Sequence, residues 1–232
     1  MEETPQEVAK HQKKVFIPQE SSDFHRNNFV DEFIRVYEDL LKNDRDFFKN
    51  LSPFGYFLDS LVFCYVTVAL FFLINVLLSQ AKGPLIETIF GIILSPILII
   101  IFCVILSYLL YYVPSKIFFG ASSFLLMFKA TMYAASKFVA LILPIVIVTS
   151  LIGISKDPDI AALMPLSLVG QAFQLFQGIY FLIVFYVFIR TLMNAIMGTH
   201  GLSTKKTIIS LTACFAIIFG MLAILSKFLQ SQ

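Results

Sequence analysis

The 232-residue sequence contains no tryptophan, only three histidines and three cysteines, and charged residues make up just 14% of it. An ordinary soluble domain has about 25% charged residues. Apolar residues reach 58%, which excludes a disordered chain because disorder requires low hydrophobicity and high charge. A net charge of +2 excludes a strongly basic nucleic-acid-binding protein. The composition therefore predicts an integral membrane protein.

The few reactive side chains are not arranged as a catalytic centre. Cys64, Cys103 and Cys214 lie far apart in the sequence, so neither a disulfide framework nor a zinc-binding spacing can be built from them. The sequence has no metalloprotease, nucleophile-elbow, phosphate-loop or dinucleotide-binding pattern. His200 precedes Gly201, a stretch typical of a turn between helices. We predict a protein that is not an enzyme and binds no metal or cofactor.

Five apolar runs are each long enough to cross a bilayer, which takes about 20 residues. The runs are continuous rather than alternating, so they favour helices over a membrane-spanning β-barrel. The predicted fold class is all-α, a polytopic bundle of five transmembrane helices. The spans are predicted near residues 57–78, 88–113, 138–153, 166–189 and 207–228.

The segment 114–136, between the second and third runs, is interrupted by Lys116 and Lys129. The helical period of its apolar residues predicts a surface-lying or re-entrant helix that leads into the third span. The alternative is one long third span in which Lys129 extends its ammonium group to the membrane surface.

Lysine and arginine are concentrated beside one set of span ends. Eight lie just before the first span, in the second-to-third connection or in the fourth-to-fifth connection, and three lie at the opposite ends. Basic residues are enriched on the cytoplasmic side, which predicts a cytoplasmic N-terminus and an external C-terminus. Lysine outnumbers arginine 13 to four, which suggests an AT-rich bacterial genome. The predicted location is therefore a bacterial inner membrane, with a Golgi or ER membrane as the alternative.

The polar N-terminal part divides into two predicted segments ahead of the bundle. Residues 1–27 have mixed charges and are predicted to be a mobile tail. Apolar residues recur at three- and four-residue steps in residues 28–51, which predicts a cytoplasmic amphipathic helix. Residues 52–229 form the predicted five-helix transmembrane domain.

The apolar face of this helix must be buried against the bilayer surface, against the cytoplasmic end of the bundle or against a partner. Its polar face is acidic, whereas helices that lie on membranes usually have a basic polar face. We therefore predict that a partner protein binds this face, through Phe33, Tyr37, Leu40 and Phe47.

Three local patterns occur in order along the chain. They are Phe47-Phe48 with Ser52-Pro53 before the first span, FGASSF at 119–124 followed by YAAS at 133–136, and HGLS at 200–203 before the last span. Together with the five spans, these patterns resemble the Yip domain family of integral membrane proteins, known in eukaryotes as Ypt/Rab-interacting proteins. The composition favours a bacterial member.

The resemblance implies a non-enzymatic membrane scaffold or an accessory subunit of a membrane complex. Eukaryotic relatives act in vesicle traffic with small GTPases, and bacterial relatives are expected to assist export complexes such as ABC-type exporters. Besides the lipid bilayer, the expected partner is thus another membrane protein or a cytoplasmic protein.

Ionisable residues inside a membrane are functional candidates by default. Asp59 and Lys137 lie at a similar predicted depth, which predicts an ion pair between the first and third spans. The alternative is that both side chains reach the lipid headgroups independently.

Two further polar or small-residue patterns lie in the last two spans. Gln171 and Gln174 share a face of the fourth span and predict hydrogen bonds between helices. They also leave open an alternative function, a small-solute transporter or channel component that uses this polar face. Thr212, Ala216 and Gly220 form a small-residue stripe on the fifth span, which is suited to packing inside the bundle or to a homo-oligomer interface.

Overall fold

The structure, a computed structural model, describes residues 23–24, 28–52, 57–79, 85–153 and 168–230. Within these ranges the regular structure is helical throughout. The helices are α1 (Phe29–Lys42), α2 (Asp44–Lys49), α3 (Phe57–Ser79), α4 (Leu85–Phe118), α5 (Phe124–Gly153), α6 (Leu168–His200) and α7 (Thr204–Gln230).

Helices α3 to α7, which we call the bundle, are each long and apolar enough to cross a membrane. The prediction of five such helices is confirmed. Two of them extend well past their predicted ends, because α4 continues to Phe118 and α6 to His200. At about 1.5 Å per residue, the 34 residues of α4 exceed the hydrocarbon thickness of a bilayer. Part of this helix must therefore project beyond it.

Helix α5 is the centre of the bundle. It packs against α3, α4 and α6, and it also contacts α1. In an apolar 18-residue stretch of α5, 39% of the residues are buried, compared with 6% in the corresponding stretch of α6. This apolar part of α6 therefore faces outward, as expected of a helix that lies against lipid.

The predicted surface-lying or re-entrant helix over residues 114–136 is wrong. Pro114 to Phe118 complete α4, residues 119–123 form a connection, and residues 124–153 are one continuous helix. The alternative, a single long third helix, is therefore confirmed. Its further expectation, that Lys129 extends its ammonium group to the membrane surface, is wrong because the side chain of Lys129 is buried.

Residues 23–24 and 28–52, which we call the head, contain two helices where the sequence predicts a single helix over 28–51. The break is at Asn43, whose side-chain oxygen accepts a hydrogen bond from the N–H of Asp46 and so caps α2. The Nζ of Lys137 donates to the carbonyl oxygen of Leu40 at 2.9 Å, which satisfies a carbonyl at the end of α1. Of the predicted mobile tail, only Asp23 and Phe24 are described, and both are buried.

The head lies at the end of the bundle where the connections 119–123 and 201–203 are found, which we call the head end. Gly198 touches Phe48 of α2, and the ring of His200 stacks on Tyr111 with the ring centroids 6.5 Å apart. Gly201 has a φ of +66°, which confirms the predicted turn. The chain segments that are richest in basic residues thus meet at one end.

Gly198 provides a test of the contact between α2 and α6. A Cβ atom at this position would lie 2.9 Å from Phe48 Cβ and 3.0 Å from the backbone nitrogen of Lys49. We expect Gly198→Ala to lower the free energy of unfolding by about 1–3 kcal/mol because of overpacking, although alanine is the better helix former by about 1 kcal/mol. Gly220→Ala is the matched control, since nothing lies within 4 Å there, and thermal unfolding in detergent should show no loss. Shifts of the same sign in both variants would contradict the close contact.

Candidate functional site

Two lysines on α5 are buried beneath the head, and each is paired with a carboxylate of the head. The Nζ of Lys129 lies 3.1 Å from Oδ2 of Asp23, with side-chain exposures of 1% and 7%. It also donates to the carbonyl oxygen of Ser52 at 2.9 Å. A buried ammonium group is stable only when it is paired and hydrogen-bonded, so Lys129 holds both ends of the head against α5.

The second pair joins three helices. The Nζ of Lys137 lies 3.2 Å from Oδ2 of Asp44 at the start of α2. Asp44 also accepts a hydrogen bond from Thr191 Oγ1 at 3.1 Å and one from Asn194 Nδ2 at 2.8 Å. Because Thr191 and Asn194 belong to α6, the carboxylate of Asp44 connects α2 with both α5 and α6.

Lys137 therefore has a different partner from the one predicted. Its ammonium group pairs with Asp44 of the head rather than with Asp59 of α3. Asp59 is buried near the start of α3. The sequence offers no signal for the observed pair, because Asp44 and Lys137 are 93 residues apart and come together only when the head packs on the bundle.

An aromatic cluster fills the space between the head and the bundle. Phe24, Phe33 and Tyr37 of the head all contact Phe63 of α3, with ring centroids 4.8–5.6 Å apart. The hydroxyl of Tyr37 donates to Thr67 Oγ1 at 2.8 Å. Burial raises the pKa of Tyr37 well above its ordinary value, so it remains a neutral donor at physiological pH.

The residues predicted to bind a partner instead lie in this internal interface. Leu40 and Phe47 are fully buried within the chain, and Phe33 and Tyr37 are half-buried against the same core. Of the three surfaces considered for the apolar face, the bundle's own end is the one that covers it. Leu40 and Phe47 cannot contact a partner while the head is in this position.

The head leaves a second apolar stripe of α1 uncovered. Val30, Ile34 and Leu41 are 66%, 52% and 53% exposed, and their spacing of four and seven residues puts them on one side of the helix. We call these three residues the outer strip. The sequence cannot separate it from the buried stripe because the two are adjacent parts of one apolar arc.

Charged residues cover the polar face of α1, and among the ion-paired ones Glu38 lies nearest the outer strip. Arg35 lies 2.7 Å from Glu32 and 3.2 Å from Asp39, and the hydrogen bond to Glu32 raises the pKa of Arg35. Lys42 lies 2.8 Å from Glu38, and this contact lowers the pKa of the Glu38 carboxyl. Arg35 and Glu38 therefore stay ionised at neutral pH.

At the opposite end of the bundle, a groove of about 1010 Å³ opens between α3, α5 and α6. Gln174 lines it together with Asn75, Thr149 and Gln177, and we call it the amide groove. Gln171, which was predicted to share a role with Gln174, is exposed outside its lining. The hydrogen bond between helices is made by Gln177, whose Nε2 donates to Thr149 Oγ1 at 2.7 Å.

The small-residue stripe of α7 and the cysteines of α3 and α4 have different surroundings. Thr212, Ala216 and Gly220 are exposed on α7, so this stripe does not pack inside the bundle. Cys64 of α3 and Cys103 of α4, although distant in sequence, are both buried in one apolar cluster.

Comparison with protein-family models, with curated proteins and with solved structures found no match to this chain. The Yip-like resemblance of the local patterns therefore stays a prediction.

Proposed function

We propose that this protein is a non-enzymatic integral membrane scaffold or an accessory subunit of a membrane complex, and that it binds its partner through the exposed side of the head. The observation that carries the proposal is the fixation of the head. Two buried ion pairs and an aromatic cluster hold the head against the bundle, while the outer strip of α1 stays exposed. A helix fixed in this way presents its outer face with little loss of conformational entropy on binding.

The proposed binding surface is thus revised from the buried residues of α1 to the outer strip and its acidic flank. The exposed apolar residues would form the centre of the interface, and Asp31 and Glu38 would belong to its polar rim. An acidic rim favours a partner with basic residues around an apolar patch. By family resemblance, the partner is a subunit of an ABC-type exporter in a bacterium, or a small GTPase in a eukaryote.

We further propose a cytoplasmic head, an external C-terminus and a bacterial inner membrane as the location. Basic residues favour the cytoplasmic side. The structure brings the connections 119–123 and 201–203 to the head end, and Lys116, Lys205 and Lys206 lie beside them. A Golgi or ER membrane would have the same cytoplasmic face.

The alternative function, movement of a small solute, is less well supported. The amide groove lies at the end away from the head, and α6 continues from it toward the head end as the apolar run 181–189. In the described residues, the polar lining of the groove does not continue along α6, whereas a solute pathway would need polar groups along the bundle.

Site-specific photocrosslinking in native membranes tests the proposed surface. A photoreactive amino acid at Ile34 or Leu41 should give a protein adduct of one defined mass. The control position is Asp39, which lies on the opposite side of α1 and should give little adduct. Equal labelling at all three positions, or adducts with lipid alone, would contradict the proposal.

A further inference from the structure

The amide groove differs from the rest of the bundle surface in shape and in polarity. Its floor is α5 and its walls are α3 and α6, which pack on α5 far more than on each other. Every described residue that lines the groove lies within one of the helix segments that can cross a membrane. The groove therefore opens sideways into the bilayer, and molecules dissolved in the membrane reach it first. Its volume, about 1010 Å³, is at the upper end of the usual range for small-molecule sites.

The polar lining residues are gathered at one end of the groove. Asn75, Thr149 and Gln174 lie within a few residues of the helix ends that are farthest from the head. Ile142, Phe181 and Leu182 line the part nearer the middle of the bilayer. The groove thus changes from hydrogen-bonding to purely apolar along the direction from the membrane surface to its centre.

The amides at the polar end differ in how far the protein uses them. Gln177 donates to Thr149 Oγ1, and Thr149 donates in turn to the carbonyl oxygen of Ile145. Asn75 and Gln174 line the groove, and among the described residues no hydrogen bond engages either side chain. Because Gln174 is exposed and Asn75 is half-buried in the groove, their amide N–H groups can donate to a ligand that accepts hydrogen bonds.

We propose that the amide groove is a binding site for one glycerolipid, with an acyl chain along its apolar part and an ester carbonyl at Asn75 and Gln174. The ligand is recognised through uncharged groups, because none of the described residues that line the groove carries a charged side chain. A transmembrane helix of another protein fits less well. The part of α6 that lines the groove, from Gln174 to Leu182, is about 12 Å long. A transmembrane helix needs a contact surface along more of the hydrocarbon thickness, and about 12 Å is under half of it.

The absence of tryptophan from the sequence allows a direct test by fluorescence quenching. A single tryptophan is introduced into the groove as Phe181→Trp, with Leu182→Trp as a second reporter. Phe219→Trp on the exposed side of α7 is the control. The full-length protein in detergent is titrated with phosphatidylcholine that carries brominated acyl chains. We expect saturable quenching of both groove reporters at about one lipid per protein, and no saturable quenching of the control.

The contribution of the amides is tested in the Phe181→Trp background. Gln174→Leu should weaken the lipid affinity by about three- to tenfold, as expected for the loss of one hydrogen bond. Gln171→Leu, a matched change outside the groove, should leave the affinity unaltered. Brominated diacylglycerol should bind about as well as phosphatidylcholine, because recognition does not use the phosphate.

Several results would overturn the proposal. They are equal quenching at the groove and control positions, no saturation at either groove reporter, equal effects of the two glutamine changes, or a strong preference for anionic phosphatidylglycerol. Circular dichroism checks that each variant is folded, and the two independent reporters keep the test decisive if one of them is not.

Discussion

Replacement of Asp44 by alanine is expected to lower the free energy of unfolding by about 3–5 kcal/mol, the usual effect of removing one partner from a buried ion pair. The variant leaves the ammonium group of Lys137 without its carboxylate. It also removes the acceptor for Thr191 and Asn194. The head should detach from α5 and α6 before the bundle unfolds. Thermal unfolding in detergent and limited proteolysis of residues 28–52 both report this change.

Two controls separate the buried pair from charge in general. Glu38→Gln removes the exposed contact with Lys42 and should leave the unfolding midpoint nearly unchanged, since exposed pairs contribute little. The double variant Asp44→Ala with Lys137→Met should recover part of the loss, because no unpaired charge remains. Strictly additive losses in the double variant would show that the two residues do not interact.

Replacement of Lys129 by methionine should be comparably destabilising, by about 3–5 kcal/mol. Methionine preserves much of the buried volume of the side chain, so the expected loss comes from the charge and its hydrogen bonds. The variant deprives Asp23 and the carbonyl of Ser52 of their common donor. Because these two groups belong to the beginning and the end of the head, protease sensitivity should rise at both ends of the segment.

The matched control for Lys129 is the exposed Lys42. Lys42→Met should have little effect on unfolding and none on the proteolysis pattern. Addition of Asp23→Asn to Lys129→Met should restore stability in part, since the remaining amide is uncharged. If Lys129→Met were as mild as Lys42→Met, the buried position of Lys129 would be incorrect.

The sequence predicts the five long helices well because a bilayer imposes a simple requirement, about 20 consecutive apolar residues. The start of α3 at Phe57 agrees with the prediction. The ends of α4 and α6 do not, because these helices continue beyond the apolar window. The end of α6 is covered by the head, as at Gly198, and hydropathy has no information about such contacts.

The features that define the candidate site depend on contacts distant in sequence and could not be predicted in the same way. Lys129 and Lys137 were recognised as unusual, but their partners depend on how the head packs. The apolar period of α1 shows that one side of the helix is buried. It does not show that Leu40 faces the bundle while Leu41 faces outward, since both lie in the same apolar arc.

Hydrogen–deuterium exchange of the full-length protein in lipid nanodiscs tests most directly whether the head is fixed to the bundle. The buried pairs predict that the amides of α1 and α2 are protected to a similar degree as those in the head-end half of α5, and that Asp44→Ala removes this protection while the bundle keeps its own. Exchange of α1 and α2 in the unaltered protein at the rate of an unstructured peptide would contradict a fixed head and, with it, the proposed scaffold function.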